Sequence, residues 1–287
     1  MTAAAIAANH ILTLSCPDRP GIVHAVSGLL LRHGGNIEEA AQHHDRATGL
    51  FFMRVQFACP AAAHGALEAG VDALSKAWGM QAQLRPAGVP MPAVVMVSRE
   101  GHCLNDLLFR WKSAQLPIDI RAVISNHRDF EALVSSWGVA FHHVPVSAET
   151  KPQAEARQLE IIRGAGAELV VLARYMQVLS DSMCRSLAGH AINIHHSFLP
   201  SFKGARPYQQ AHERGVKLIG ATAHYVTAVL DEGPIIEQDV ARADHGMSAE
   251  DLAAVGRDTE CLVLARAVKW HGEHRVLLDG HKTVVFR

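Results

Sequence analysis

The first 86 residues alternate between strand-like and helix-like patterns of apolar positions. The run ILTLSC at 11–16 predicts a strand, and apolar residues at three- to four-residue spacing over 22–33 predict a helix. Two glycines after that helix would end it, because glycine adopts the left-handed conformation common at helix ends. Two strands joined by the hairpin-like RATG, a helix over about 61–78 and a short strand follow. The predicted order is βαββαβ, a ferredoxin-like module.

A linker separates this module from the rest of the chain. Residues 85–93, RPAGVPMPA, contain three prolines and one glycine, which favour neither a central strand nor a helix. They predict a proline-stiffened linker at 87–92. The sequence therefore predicts one domain at 1–86 and a second at 93–287.

The second domain has the pattern of an open, mostly parallel Rossmann-like α/β sheet. Short β-rich runs alternate with segments of helix length, as in sheets that carry helices on both faces. A long helix is predicted at about 248–271, and Asp279-Gly280 indicates a closing hairpin. In such sheets ligands bind beyond the carboxyl ends of the strands. Polar residues at strand ends are therefore the first candidates for a site.

Composition excludes several classes of function. The net charge of −1 and the pI near 7.0 provide no basic field for nucleic acid or a membrane surface. We expect no membrane span, since no apolar run approaches the required length of about 18 residues. The five cysteines are scattered and form no CxxC pair, which favours a reducing, cytoplasmic setting.

Nineteen histidines raise the question of a metal site. No HExxH motif is present, and neighbouring histidines on a strand point to opposite faces. This argument applies to three doublets, His43–His44, His142–His143 and His195–His196. We therefore expect no metal.

Residues 192–240 concentrate groups suited to attack on a carbonyl. Asn193 and His195 share one face of the predicted strand AINIH, where an amide and an imidazole can converge on one oxygen. Asp231 lies in the loop LDEGP, where Gly233 permits a tight path, and a carboxylate there can handle a proton. Each residue alone could instead be structural, as a turn cap, an interior hydrogen-bonding group or a turn stabiliser.

Three motifs make residues 93–240 resemble the folate-dependent formyltransferase family: INIHHSFLP, GATAHYVTAVLDEGPII and LARYMQVL. The resemblance puts Asn193, His195 and Asp231 in the catalytic positions and implies 10-formyltetrahydrofolate as substrate, with no cofactor. It implies that Asn193 and His195 stabilise a tetrahedral oxyanion while Asp231 moves protons through a water. The folate-binding residues that it implies are Tyr175, Met176, Val178, Leu179, Thr222, His224, Val226 and Leu230.

The amino-terminal module resembles the ACT domain, through the turn Asp18-Arg19-Pro20-Gly21-Ile22 and the segment Gly34-Gly35-Asn36-Ile37. That resemblance implies an amino-acid effector, such as glycine or methionine, and a homo-oligomer, either a dimer or a tetramer. The effector would lie at a subunit interface against Asp18, Gly21, Ile22, Gly35 and Asn36. The alternative is that both segments are only tight turns.

The loop after the first strand of the second domain bears on the acceptor. Relatives that formylate a phosphorylated amine, such as glycinamide ribonucleotide, hold the phosphate in a glycine-rich loop. Here the loop Ser98–Cys103 has one glycine, and Glu100 would repel a phosphate, although Arg99 and His102 partly offset that. Water is therefore the expected acceptor.

An ACT-like module joined to this catalytic domain is the arrangement of the hydrolytic members of the family. The resemblance thus implies hydrolysis of 10-formyltetrahydrofolate to tetrahydrofolate and formate, with Asp231 activating water. This activity would supply formate for purine synthesis and balance one-carbon pools. Two alternatives stay open: a formyltransferase to an unphosphorylated amine, and a non-catalytic folate or amino-acid sensor. Arg174 either meets an anionic part of the folate or is a solvated charge, and His196 either contributes or only packs.

Overall fold

The computed structural model describes residues 7–199 and 207–287. Residues 1–6 of the predicted first domain and residues 200–206 of the 192–240 segment lie outside the described residues. By contacts between Cα atoms, the chain divides into two compact units. One extends to Val89 and also takes in Glu273–Asp279 and Thr283–Arg287, and the other comprises Pro90–Gly272 and Gly280–Lys282.

The amino-terminal unit has the predicted order βαββαβ. Its elements are β1 (Ala7–Pro17), α1 (Ile22–Arg32), β2 (Asn36–Asp45), β3 (Leu50–Pro60), α2 (His64–Trp78) and β4 (Gln81–Pro86). The sheet has the order β2-β3-β1-β4, and neighbouring strands are antiparallel. Alternate residues of β1, Leu12, Leu14 and Cys16, are buried in one core with Val26 and Leu30 of α1. Period-two alternation on the strands and helical spacing on α1 therefore build one core.

The second unit contains the predicted α/β sheet. Its elements are β5 (Met91–Val97), α3 (His102–Lys112), β6 (Ile118–Ser125), α4 (Glu131–Ser136), β7 (Ala140–His143), α5 (Lys151–Gly164), β8 (Leu169–Leu172), α6 (Asp181–Ser186), β9 (Ala191–His195), α7 (Pro207–Glu213), β10 (Leu218–Tyr225), β11 (Ile235–Arg242) and α8 (Ala249–Gly272). The strand order is β11-β10-β9-β8-β5-β6-β7. Strands β5 to β9 pair in parallel, whereas β10 is antiparallel to both its neighbours. The mostly parallel sheet is confirmed.

The domain boundaries differ from the prediction at two points. Strand β5 begins at Met91, inside the segment predicted as a linker. The closing hairpin, β12 (Val276–Asp279) and β13 (Lys282–Val285), groups largely with the amino-terminal unit rather than with 93–287. Hydrogen bonds join the start of this hairpin to the amino-terminal unit. Arg275, which directly precedes β12, donates to Glu39 of β2 at 2.8 and 3.2 Å.

Strand pairing brings together the elements that form the site. The parallel strands β5, β8 and β9 are neighbours, so their carboxyl ends meet at one edge of the sheet. Antiparallel pairing of β10 with β9 sets His224 opposite Asn193. The loop 226–234 then links β10 to β11. In the described parts of the chain, no helix has the length and apolar character needed to cross a membrane.

Candidate active site

The structure brings Asn193, His195, His224 and Asp231 into one group. His195 Nδ1 lies 3.3 Å from Asp231 Oδ1, and His224 Nε2 lies 3.7 Å from the same oxygen. His224 Nδ1 lies 2.9 Å from the carbonyl oxygen of Tyr225, and His224 Nε2 lies 3.2 Å from the amide nitrogen of Asn193. The three residues predicted as catalytic are thus connected, with His224 between Asn193 and Asp231.

A tight loop carries Asp231 to this group. Asp231 has φ +56°, a left-handed conformation that aspartate tolerates better than most residues. Two positions later, a β-carbon at Gly233 would overlap the carbonyl oxygen of Tyr225. Only glycine therefore lets the loop close against β10 at this point. The predicted role of Gly233 in a tight backbone path agrees with this geometry.

Asp231 is held in its ionised form. Hydrogen bonds from His195 and then His224 keep the pKa of Asp231 well below its ordinary value near 3.8, although partial burial opposes them. The carboxylate side chain is 15% exposed. Between pH 5 and 8 it is therefore an anion whose hydrogen-bond partners come from the protein.

A cavity of about 640 Å³ contains this group. Most of the predicted folate-binding residues line it: Tyr175, Met176, Val178, Leu179, His224, Val226 and Leu230. Most of these side chains are apolar, as suits a large organic ligand. Gln158 donates to the hydroxyl of Tyr175, and burial raises the pKa of Tyr175 to about 12.

Thr222 departs from the prediction, because the structure does not place it in the cavity lining. It is fully buried, donates to the carbonyl of Ser197 at 2.9 Å and accepts from the backbone N–H of Leu199 at 3.1 Å. Its hydroxyl therefore holds the segment after β9 instead of facing a ligand.

Ser98 positions the wall that carries Tyr175 and Met176. The backbone N–H of Met176 donates to Ser98 Oγ at 2.9 Å, and Ser98 Oγ donates to Asn126 Oδ1 at 2.8 Å. The N–H of Ser98 also reaches the carbonyl of Arg174 at 3.2 Å. The sequence indicated only that the Ser98–Cys103 loop does not suit a phosphate, and this role was not predicted.

Four side chains that the sequence did not bring together form a second group in the cavity lining. We call Glu260, His102, Arg174 and Tyr208 the Glu260 cluster. His102 Nε2 lies 2.8 Å from Glu260 Oε2, Tyr208 donates to Oε1 at 2.7 Å, and Arg174 Nε lies 3.4 Å from Oε2. Burial alone would raise the pKa of Glu260, but these partners lower it below its usual value.

Arg174 is therefore not a solvated charge. Its side chain is 12% exposed and its φ is +62°.

The sequence did contain a signal for Glu260, because this acid lies on the buried stripe of α8 with Leu252, Gly256 and Val263. A β-carbon at Gly256 would overlap the phenol of Tyr208, so glycine there lets Tyr208 reach the carboxylate.

His102, Cys103 and Glu260 bring their potential metal-ligand atoms within 4.8 Å of one another. Their surroundings fit a cation poorly. The carboxylate of Glu260 already pairs with His102 and Tyr208, and the guanidinium of Arg174 adds a positive charge 3.4 Å away. A metal would have to displace these partners.

His196 also lines the cavity, next to the catalytic group. Its ring lies 4.8 Å from that of His195 and 6.4 Å from that of Tyr208, centroid to centroid. Because β9 ends at His195, strand alternation no longer separates the two histidines, contrary to the prediction for this doublet. Burial first, then Arg174 and His195, lower the pKa of His196 to about 4, so its ring is neutral at pH 7.

The predicted effector residues do not meet within one chain. Asp18 directly follows β1, and its N–H donates to the carbonyl of Gly49. Asn36 lies at the other end of β1, because it is opposite Ala58 of β3, and Ala58 pairs with Asn9 of β1. Nine residues of strand separate the two segments, roughly 30 Å at the usual rise. Gly21 has φ +94° at the start of α1, and Gly35 approaches the backbone of Leu30 closely. The side chain of Ile22 is buried in the core, which leaves only its backbone for a ligand.

Models of known protein families match both halves of the chain. A family model described as formyl transferase matches residues 91–268, and one described as ACT domain matches residues 10–76. A formyltetrahydrofolate deformylase of Corynebacterium sp. (strain P-1) is 54% identical over 281 residues, which cover 97% of this chain and 98% of the relative.

Solved structures give the same picture. The crystal structure of the formyltetrahydrofolate deformylase from Burkholderia mallei has a TM-score of 0.95 and 51% identity, and the match covers 98% of this chain and all of that one. Glycinamide ribonucleotide transformylase 1 from Symbiobacterium toebii has a TM-score of 0.67 and 30% identity, covering 71% of this chain and 98% of its own. The chain therefore belongs to the formyl transferase family and, within it, to the formyltetrahydrofolate deformylases, with an ACT domain at its amino-terminal end.

Proposed function

We propose that this protein hydrolyses 10-formyltetrahydrofolate to tetrahydrofolate and formate. The observation that carries the proposal is the connected group of Asn193, His224, Asp231 and His195 in a cavity with largely apolar walls. The apolar walls suit the body of a folate, and the polar group suits attack on its formyl carbon. The names of the full-length relatives reported above support the same activity.

In the proposed mechanism Asp231 activates water. The oxygen of the water attacks the formyl carbon, and its proton passes to the ionised carboxylate of Asp231. The new oxyanion accepts hydrogen bonds from the Asn193 amide and from His195, whose Nε2 has no protein partner among the described residues. The tetrahedral intermediate then expels N10, which takes up the proton, and formate is released. Removing one oxyanion donor in such a site costs about 2.7–4 kcal/mol of barrier.

The mechanism needs neither a metal nor a cofactor. The proton and charge transfers that it contains are within reach of Asp231, Asn193 and His195. We therefore expect full activity after dialysis against a chelator. A loss of activity that zinc or magnesium restores would contradict this.

Formate release from 10-formyltetrahydrofolate without any amine is the direct test. We expect release by the native protein and a loss of roughly 10²–10⁴-fold in Asp231→Asn, the range for removal of a general base. Asp119→Asn, an aspartate about half-exposed on β6, is the matched control and should retain activity. Turnover that depends on an added amine would favour a transferase, and folate binding without turnover would favour a sensor.

We also propose that the ACT domain binds an amino-acid effector, glycine or methionine, and that the protein is a homo-oligomer, either a dimer or a tetramer. Because the segments at Asp18 and Asn36 lie apart within one chain, a site that uses both would need two chains. Light scattering with and without each amino acid tests this. A monomer that binds neither would contradict it.

We place this enzyme in the cytoplasm, where it would supply formate for purine synthesis and balance one-carbon pools. All five cysteines are unpaired, as is usual in a reducing compartment. Fractionation of cells, followed by measurement of the activity in each fraction, tests the location.

A further inference from the structure

Tyr225 lies between the catalytic group and helix α8. It is the last residue of β10, directly follows His224 and is 3% exposed. Neighbouring side chains on a strand point to opposite faces. His224 lines the cavity, whereas Tyr225 is not among the described residues of the lining, and its hydroxyl lies 2.7 Å from Nδ1 of His271 on α8. The strand therefore presents one side chain to the cavity and the next to the helix.

The backbone of Tyr225 contacts both parts of the catalytic group. Its carbonyl oxygen lies 2.9 Å from His224 Nδ1, and Nε2 of the same ring lies 3.7 Å from Asp231 Oδ1. This carbonyl also packs against Gly233, two residues after Asp231, so closely that a β-carbon on Gly233 would overlap it. The N–H of Tyr225 donates to the carbonyl of Pro234 at 2.9 Å. A displacement at Tyr225 would therefore move the ring of His224 and the loop that carries Asp231 together.

The contact with His271 determines where the tyrosine ring lies. Burial raises the pKa of Tyr225, so its hydroxyl keeps its proton at pH 7 and requires a hydrogen-bond partner. The two rings also meet edge to face, with their centroids 5.7 Å apart. Apolar packing is non-directional, whereas a hydrogen bond fixes both a distance and an angle. This bond therefore adds a defined position to a ring that packing alone would only bury.

We infer that the hydrogen bond between Tyr225 and His271 positions the catalytic group. The inference rests on the hydrolysis proposed above, in which Asp231 must face the attacking water. Both residues act through the backbone of Tyr225, and neither touches the substrate. Without their bond the ring of His224 and the loop of Asp231 would shift, so the general base would be misplaced while the apolar walls of the cavity stay unchanged.

The test separates kcat from KM for formate release by the full chain, with 10-formyltetrahydrofolate and no amine. In Tyr225→Phe, which removes only the hydroxyl, we expect kcat at least about tenfold below the native value, because small displacements of reacting groups are costly. KM should stay within about twofold of the native value, because neither Tyr225 nor His271 is among the described lining residues. A purely structural bond would lower the melting temperature and leave kcat of the folded protein native.

Two replacements of His271 make the test sharper. In His271→Leu the partner is lost, and kcat should fall as in Tyr225→Phe. His271→Asn can place an amide group near the position of Nδ1 and should retain at least about half of the native kcat. The double variant of Tyr225→Phe with His271→Leu should be about as slow as the slower single variant, because both changes remove the same bond.

Thr259→Val is the matched control. Thr259 is also buried on α8, and its hydroxyl donates to the carbonyl of Val255 at 2.9 Å. Neither residue is among those that the structure places in the cavity lining. Loss of this hydroxyl should lower the melting temperature without changing kcat.

A native kcat in folded Tyr225→Phe would overturn the inference, as would single effects that multiply in the double variant. Equal falls of kcat in Tyr225→Phe and Thr259→Val would also overturn it, because activity would then follow stability rather than position. Should Tyr225→Phe fail to fold by circular dichroism, His271→Leu and His271→Asn decide, and equal kcat in these two would overturn the inference. Native protein that releases no formate without an amine would instead overturn the proposed hydrolysis and this inference with it.

Discussion

Asp231 owes its ionised state to two imidazoles that contact the same oxygen. His195 and then His224 lower its pKa, while partial burial acts in the opposite direction. A carboxylate whose pKa is lower in the folded than in the unfolded state stabilises the fold once it is ionised in both. That contribution is fully present above the ordinary value near 3.8 and is lost as pH falls through the folded pKa.

We therefore predict that Asp231→Asn lowers the free energy of unfolding at pH 7, because asparagine keeps the shape but loses the charge that the imidazoles stabilise. The difference in the free energy of unfolding between the native protein and the variant should become smaller as pH falls below about 4, where an unfolded aspartate is protonated. Urea unfolding between pH 7 and pH 3 measures this difference. A difference that stays constant over that range would show that the two imidazoles do not stabilise the carboxylate.

Single residues also show where sequence reasoning ends. Asn193, His195 and Asp231 were identified because they lie within one segment at strand ends. Glu260 was not identified, and Arg174 was left open between a folate contact and a solvated charge, because their partners lie far away in sequence. Thr222 was assigned by its neighbours in a motif, but its hydroxyl faces the backbone of 197–199 instead. Side-chain direction at the end of a strand depends on the fold around it.

At the scale of elements, the loop 226–234 determines whether the site forms. It carries Asp231 back to β9 and β10, and it closes because Gly233 packs directly on the carbonyl of Tyr225. A methyl group there has no flexible neighbour to displace, since the obstacle is backbone. The position of the carboxylate therefore depends on one missing side chain.

Gly233→Ala is expected to move this loop and lower kcat for formate release by at least about 10²-fold, the loss that a displacement of about 1 Å produces at reacting groups. Gly164→Ala is the control, because no atom lies within 4 Å of the added methyl and alanine favours the helix α5. Its activity should be native and its melting temperature equal or higher. Native kcat in Gly233→Ala would show that Asp231 tolerates a different loop path.

Most elements could be predicted from their local pattern. The strand Ala191–His195 occurs with the predicted bounds, because its alternating apolar and polar residues have the period of a strand. The start of β5 was placed two residues late, since Met91 and Pro92 were assigned to the proline-rich linker. Pro92 is tolerated because it lies at the beginning of the strand, where a missing backbone N–H costs least.

At the scale of the whole molecule, the two ends of the described chain meet in one unit. The guanidinium of Arg54 is 2% exposed and donates to the carbonyl of Glu273 at 3.2 and 3.3 Å. Arg275 binds Glu39 through both of its terminal nitrogens. More than 200 positions separate these partners in sequence. No local pattern predicts such a contact, and for this reason the closing hairpin was assigned to the wrong unit.

Arg275→Ala removes the bidentate pair with Glu39, a 2.7 Å contact with Glu273 and a hydrogen bond to the carbonyl of Phe286. Because the arginine side chain is 18% exposed, we expect a loss of about 1–3 kcal/mol in the stability of the amino-terminal unit. Arg128→Ala, whose ion pair with Glu131 is largely solvated, should cost no more than about 1 kcal/mol.

Amide hydrogen exchange locates the effect of Arg275→Ala as well as its size. We expect faster exchange in β2, where Glu39 loses Arg275, and in β3, whose Arg54 pairs with the same Glu39, and unchanged protection in β5, β6 and β8 of the other unit. Exchange that accelerates equally in both units would mean that the whole chain unfolds as one and that the hairpin does not specifically stabilise the ACT domain. Unchanged exchange in β2 and β3 would show that the paired charges contribute nothing beyond their solvation, as exposed ion pairs often do.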